Sequence, residues 1–247
     1  MADSFLSIVK LTKRYGDRTV LDGISCDIAK GEVVGLLGPN GAGKSTTMNI
    51  VAGFLKPTAG DVLLEGRSVL DGPQEWRSSL GVVLDDLALF EYLTVAEHLA
   101  LVGQLYGLSR AETAKRADEL VDFFSLTEAT DTIAREASHG TRKKLALALS
   151  LMHGPRVLLL DESLNGIDAV TARDFKVLLR KMSQKGTTVL ITSHMLDATQ
   201  QMIDRCVMLN HGRIVLDSSL QEIAGLEETY VKVICGPERR DPELSWV

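Results

Sequence analysis

Two short stretches carry residue types that could handle a chain of phosphates. The first, Gly38-Pro39-Asn40-Gly41-Ala42-Gly43-Lys44-Ser45, is a glycine, four residues, then glycine, lysine and serine. Glycines reach backbone conformations closed to other residues, so such a loop can turn several N–H groups toward one anion. A helix starting behind it adds the positive end of its dipole. Lys44 would then place a charge on the terminal phosphates, and the Ser45 hydroxyl would bind magnesium. The second stretch, Val157-Leu-Leu-Leu-Asp161-Glu162, is an apolar strand ending in two acids, at the edge where open parallel sheets place their ligands. Asp161 is suited to hold magnesium, directly or through water, and Glu162 to polarise water attacking the terminal phosphate. The strand before the loop and the helix after it already favour phosphate binding over a chance glycine turn, whereas two acids after a strand, taken alone, read as a solvated turn. Found in one chain, they point to nucleotide binding.

These groups need a scaffold, and the hydrophobic pattern supplies one. Residues 5–11 and 18–28 read as strands, and Val33 to Leu37 is an apolar run between Gly31 and Gly38, as a buried strand should be. Ser45 opens a helix to about Ala52, stopped by Gly53 and Pro57 before a strand over Asp61 to Leu64. Thr94 to Leu126 is helical by pattern, with Gly107 ending one helix and Ser109 capping the next. After it come a helix from about Ser138 to Met152, a strand Val157 to Leu160 and a helix from about Ala169. A strand Thr188 to Thr192, a helix beyond His194, short strands around Gly212 and a last helix near Leu220 complete the pattern. That alternation predicts an α/β fold whose mainly parallel sheet is flanked by helices, interrupted by a helical insert.

With 247 residues, 45% hydrophobic and 24% charged, the chain suits one large domain with a sizeable core. A net charge of -6 gives no global basic field for nucleic acid. The opening residues show no basic segment followed by an apolar run and a cleavage site, and no apolar stretch approaches the roughly 20 residues that span a bilayer. The expectation is a cytosolic chain that meets membranes only through a partner. Cys26, Cys206 and Cys235 lack paired spacing and read as core or surface thiols.

In the order of its motifs, from Ile8 to about Ala224, the sequence closely resembles the nucleotide-binding subunits of ATP-binding-cassette (ABC) transporters. The resemblance implies a P-loop NTPase core with an N-terminal antiparallel β subdomain and an inserted helical subdomain at about 87–136. It also implies one ATPase domain over 1–235 and an irregular tail over 236–247. ATP and magnesium are the implied ligands, with the 38–46 loop, Thr46 included, around the phosphates. Tyr15, in Lys-Arg-Tyr-Gly, matches the residue that stacks on adenine, and Val20 a small apolar residue lining that site. Ala137-Ser-His-Gly-Thr-Arg-Lys-Lys144 lies where the family has Leu-Ser-Gly-Gly-Gln. Ser138 and Gly140 remain to face the nucleotide of a second subunit, while His139 replaces a glycine. Ser163 to Asp168 matches the loop that signals across the dimer, and His194 the residue that steadies the terminal phosphate. The family's usual glutamine at a loop contacting magnesium and the membrane partner is here Asp85. That acid reaches magnesium through water and adds repulsion on the order of 1 kcal/mol near phosphate.

The implied activity is ATP hydrolysis that drives a separate membrane permease from its cytoplasmic face, by a dimer of identical or unlike subunits. Lys56 to Gly60, Tyr92 to Leu99 and His211 to Val215 look most like the drug and polysaccharide exporter branch. His139 and Asp85 leave open a regulatory module that closes on ATP with scant turnover. A cassette protein acting on ribosomes or DNA is the other rival, and the paired cassettes or long coiled coils usual in that class are not seen here.

Overall fold

The computed structural model describes residues 4–70, 75–85, 88–163, 166–193, 196–223 and 225–235, so His194 and the expected tail 236–247 lie outside the described residues. The first half runs β1 (Leu6–Tyr15), β2 (Arg18–Ile28), β3 (Val33–Leu37), α1 (Lys44–Val51), β4 (Ala59–Leu64), β5 (Arg67–Ser68), α2 (Glu75–Ser78), β6 (Leu80–Val83), α3 (Val95–Leu105) and α4 (Arg110–Phe123). The second half runs α5 (His139–Leu151), β7 (Val157–Asp161), α6 (Ala169–Gln184), β8 (Thr188–Thr192), α7 (Leu196–Gln200), β9 (Arg205–Asn210), β10 (Arg213–Ser219) and α8 (Leu226–Cys235).

Two sheets result. A four-stranded antiparallel sheet has the order β2-β1-β4-β5, and a six-stranded sheet has the order β10-β9-β3-β8-β7-β6. In the second, β9, β3, β8, β7 and β6 are parallel, and β10 closes one edge antiparallel. Every residue of β3, β7 and β8 is buried, as their unbroken apolar runs foretell for strands covered on both faces. Side chains alternate between the two covers. Val34, Leu36 and Leu159 pack with the antiparallel sheet and α1, against Leu6, Leu21, Met48 and Ile50. Val33, Leu37, Leu158 and Leu160 pack on the other side, with Leu99, Leu145 and Phe175 from the helices. Arg205 on β9 ties the sheets together, its guanidinium on the Glu32 carboxylate at 3.0 Å and the Asp27 carbonyl at 2.8 Å.

The helical insert is built from local signals. Thr94 Oγ1 accepts the Glu97 N–H at 3.1 Å while the Glu97 carboxylate accepts the Thr94 N–H at 2.8 Å, a reciprocal cap for α3. Ser109 caps α4 through the Glu112 N–H, and Val95, Leu99, Phe124 and Leu126 turn inward onto α5 and the main sheet.

The sequence reading assigns no element between Leu64 and Thr94, where the structure has β5, α2 and β6. Leu80–Val83 is an edge strand paired with β7; four residues are too few to declare a period, and pairing decides them. The last helix begins at Leu226, not near Leu220, where there is a single 3-10 turn over Leu220–Glu222. Cys26 and Cys206 are buried free thiols, and burial pushes both up to about 11.

Candidate nucleotide site

The glycine loop leaves the end of β3 and enters α1 at Lys44. Gly43 stands before the helix with φ 110 and ψ 6, a conformation that L side chains rarely adopt. A Cβ there would sit 2.5 Å from Leu21 Cδ2, and one on Gly38 would sit 2.2 Å from the Leu209 carbonyl oxygen. A side chain of β2 and the backbone of β9 therefore close in on the two sides of the loop. Lys44 is only 7% exposed, and its Nζ donates to the carbonyls of Gly38 at 2.8 Å and Pro39 at 3.1 Å. Burial lowers its proton affinity, opposed by the negative charges of Glu162 and Asp161. The rim is open: Asn40, Gly41 and Ser45 are exposed and Pro39 and Thr46 half-buried, while Ala42 is buried beneath.

The acids reach this loop because β7 lies one strand from β3, across β8. Asp161 is opposite Thr192 in the parallel register, 2% exposed, and accepts the Thr192 Oγ1 hydrogen on Oδ1. The Glu162 N–H is shared between the Thr192 carbonyl at 3.3 Å and hydroxyl at 3.2 Å. Glu162 itself has φ 49, in the left-handed region. Thr192 was not singled out from sequence, yet the signal is there: a buried strand ending in a hydroxyl beside one ending in acids. Thr192→Val keeps shape and removes the donor, leaving a buried carboxylate oxygen short of a partner. It should destabilise the fold by about 1–3 kcal/mol, read as a lower urea midpoint; an unchanged midpoint would show that the bond is dispensable.

These donors suit magnesium. Serine hydroxyl and carboxylate are hard oxygen ligands, and this ion commonly takes one or two carboxylates and completes its shell with water and substrate phosphates. Among the described residues no cluster of three or more His, Cys, Asp or Glu could hold a metal ion.

Val20 is brought to the loop, since its carbonyl oxygen lies 3.1 Å from where a Gly43 Cβ would be. Tyr15 ends the other strand of that hairpin, 52% exposed with the Lys13 ammonium 4.9 Å from its ring centre. Asp85 is exposed beyond β6. The sequence profile of the family described as ABC transporter matches residues 21–165, more than half of the chain, taking in both the loop and the acids.

The chain belongs to the ABC transporter ATP-binding family.

This ABC subunit is 35% identical over 223 residues to the daunorubicin resistance ATP-binding protein DrrA3 of Streptomyces coeruleorubidus, which covers 90% of this chain and 71% of that one. A solved ATP-binding subunit of an ABC transporter matches it with a TM-score of 0.87 at 29% identity, over 93% of this chain and 99% of that one. The dimeric, post-hydrolysis state of the ATP-binding cassette MJ0796 bound to ADP and Pi matches with a TM-score of 0.81 at 25% identity, over 88% of this chain and all of that one, 100%.

The remaining described residues that the resemblance implies for the site of the ABC subunit lie around the head of α5. Ser138 caps α5, its Oγ accepting the Thr141 N–H at 3.0 Å, and is exposed, as is His139. Gly140 and His139 lie against Gly166: a Cβ on Gly140 would be 3.3 Å from the Gly166 carbonyl oxygen, and one on Gly166 would be 3.3 Å from His139 Cδ2. Asp168 caps α6 by accepting from the Thr171 N–H at 2.9 Å and hydroxyl at 2.8 Å, and pairs with Lys144 at 2.7 Å. The Lys144 ammonium, then the Thr171 donors, hold its carboxyl well below the usual carboxylate range. Its folded pKa is depressed, so its stabilising effect is present above the unfolded carboxylate range and lost as pH falls through the folded value. Asp168→Ala should lower the melting temperature at neutral pH by about 2–4 °C, for a cap of about 1 kcal/mol on an exposed group. Melting curves should converge in acid; a gap that widens there would contradict the assignment.

Proposed function

We propose that the chain is the ATP-hydrolysing motor subunit of an ABC transporter, and that it works in a dimer on a separate membrane permease. The observation that carries this is the placing of the glycine loop and the two acids at the ends of β3 and β7, one strand apart across β8, with the Lys44 ammonium buried in the loop. The N–H groups of 38–46 and Lys44 would bind the phosphates of ATP, Tyr15 would stack on adenine, and Val20 would line the wall beside it. Ser45 and Asp161 would hold magnesium, with Asp85 reaching it through water. That ion offsets phosphate charge when bound. Glu162 would take a proton from the attacking water, and His194 would steady the terminal phosphate. Two cassettes share each site in this reading, with Ser138 and Gly140 at the head of α5 facing the partner's nucleotide. Residues 1–235 act as one ATPase domain.

A groove of about 410 Å³ lies between α3, α5 and β6, and offers a seat for the permease. Phe54, Leu84, Leu89, Val102 and Tyr106 line it, with Phe54 65% exposed. An apolar, concave lining of this kind is what a docked permease element would cover. It lies next to Asp85 and the insert, so nucleotide state could be felt there. The name of the daunorubicin resistance relative favours an exporter. Among the described residues no helix is long and apolar enough to cross a membrane; in this reading the permease holds the chain on the cytoplasmic face.

The test is magnesium-dependent ATP hydrolysis across a range of protein concentrations. Turnover rising faster than linearly supports a self-sufficient dimer of this chain. Binding without turnover, at all concentrations and with membranes added back, would overturn the motor and leave a nucleotide-gated module.

A further inference from the structure

Helix α5 holds the chain at two described points, Glu162 just after β7 and Asp168 at the cap of α6. At the second, Lys144 pairs with Asp168 at 2.7 Å. At the first, Lys143, 3% exposed, donates its Nζ hydrogen to the main-chain carbonyl of Glu162 at 3.1 Å. Burying an ammonium is costly unless it is bound to an acceptor, and an apolar residue would fill a core position without that cost. The acceptor is the carbonyl of a residue whose φ is 49, a conformation uncommon outside glycine, which persists only when its surroundings hold it. Thr192 holds the same residue from its N–H side. The Glu162 backbone is thus held on one side by a strand and on the other by a helix.

We propose that Lys143 is a positioning residue for hydrolysis. By holding the Glu162 carbonyl it sets the left-handed turn that aims the carboxylate, and it places that aim under the control of α5. The same helix begins at Ser138, the end turned toward the partner's nucleotide. Closure onto that nucleotide would press on α5 and be felt one turn later at Lys143, so each site's carboxylate is aligned by occupancy of the other. Lys143 does not touch substrate in this account, so its loss should alter the rate and spare affinity. The inference rests on the hydrolytic reading above.

The experiment uses the full chain as wild type, Lys143→Met, Lys143→Arg and Lys143→Gln, measuring kcat and KM for magnesium ATP with a melting curve for each. Lys143→Met should lower kcat by roughly tenfold to a hundredfold while KM stays within about twofold. Lys143→Arg, which keeps a charged donor of similar reach, should recover most of the rate. If Lys143→Met melts below the assay temperature, Lys143→Gln decides by the same split. Adding Lys143→Met to Glu162→Gln should cost little further rate, since both act through one carboxylate. Wild-type kcat in Lys143→Met, or a kcat that falls only in step with melting temperature in all three variants, overturns the proposal while leaving hydrolysis intact. A wild type with no turnover removes the hydrolytic reading, and this role with it.

Discussion

Glu162→Gln is expected to lower magnesium-dependent ATP turnover by roughly two to four orders of magnitude, the range that a positioned proton acceptor contributes, while ATP still binds. The substitution keeps side-chain length and one carbonyl-type oxygen but removes the basic carboxylate, and the bonds to Thr192 and from Lys143 are made by main-chain atoms of residue 162 that it does not change. Nucleotide should therefore stay bound, and the dimer should persist once closed, because the step that reopens it is blocked. Steady-state phosphate release beside ATP binding and sizing chromatography checks both halves. Turnover within a few-fold of wild type would move the proton acceptor elsewhere and leave Glu162 as a structural acid.

Lys44→Ala is expected to weaken ATP binding by about a hundredfold, the equivalent of about 2.7 kcal/mol, as loss of one or two hydrogen bonds to a charged group requires. The pH dependence gives an independent check. Burial lowers the proton affinity of Lys44, so its charge disappears at lower pH than that of a free lysine. Wild-type affinity should then fall as pH rises through that lowered value, and Lys44→Ala, with no charge to lose, should lack the decline. Titration calorimetry across the alkaline range distinguishes the two, and parallel curves would mean that Lys44 does not meet the phosphates.

How much of this was legible beforehand depends on whether the signal is local. Gly38 to Ser45 and Asp161-Glu162 were readable because each is a run of a few residues with a chemistry of its own, and the caps at Thr94, Ser109, Ser138 and Asp168 are fixed within three or four residues. β6 was not, because Leu80 to Val83 becomes a strand only by pairing with β7, more than seventy residues later. Thr192 and Lys143 were passed over for the same reason: an ordinary threonine and an ordinary lysine acquire meaning from the acids they touch across the fold. Lys143 in particular sits in Arg-Lys-Lys, which reads as a solvated basic face, and only packing shows that the middle member is buried. The groove is a surface between elements and has no sequence motif at all.

The placement of β3 between β8 and β9 has a bearing on how the protein is made. The strand that carries the phosphate loop is complete by Leu37, but both its neighbours come from Thr188–Thr192 and Arg205–Asn210. A chain emerging from the ribosome therefore carries an apolar strand with two vacant edges until Thr188 is reached, at ordinary rates on the order of ten seconds or more. Nascent chains halted before Thr188 would hold the full glycine loop and both acids without the sheet that brings them together. They would be ready targets for chaperones or proteases and poor ligands for ATP, so the nucleotide site becomes competent only once β8 and β9 have been made.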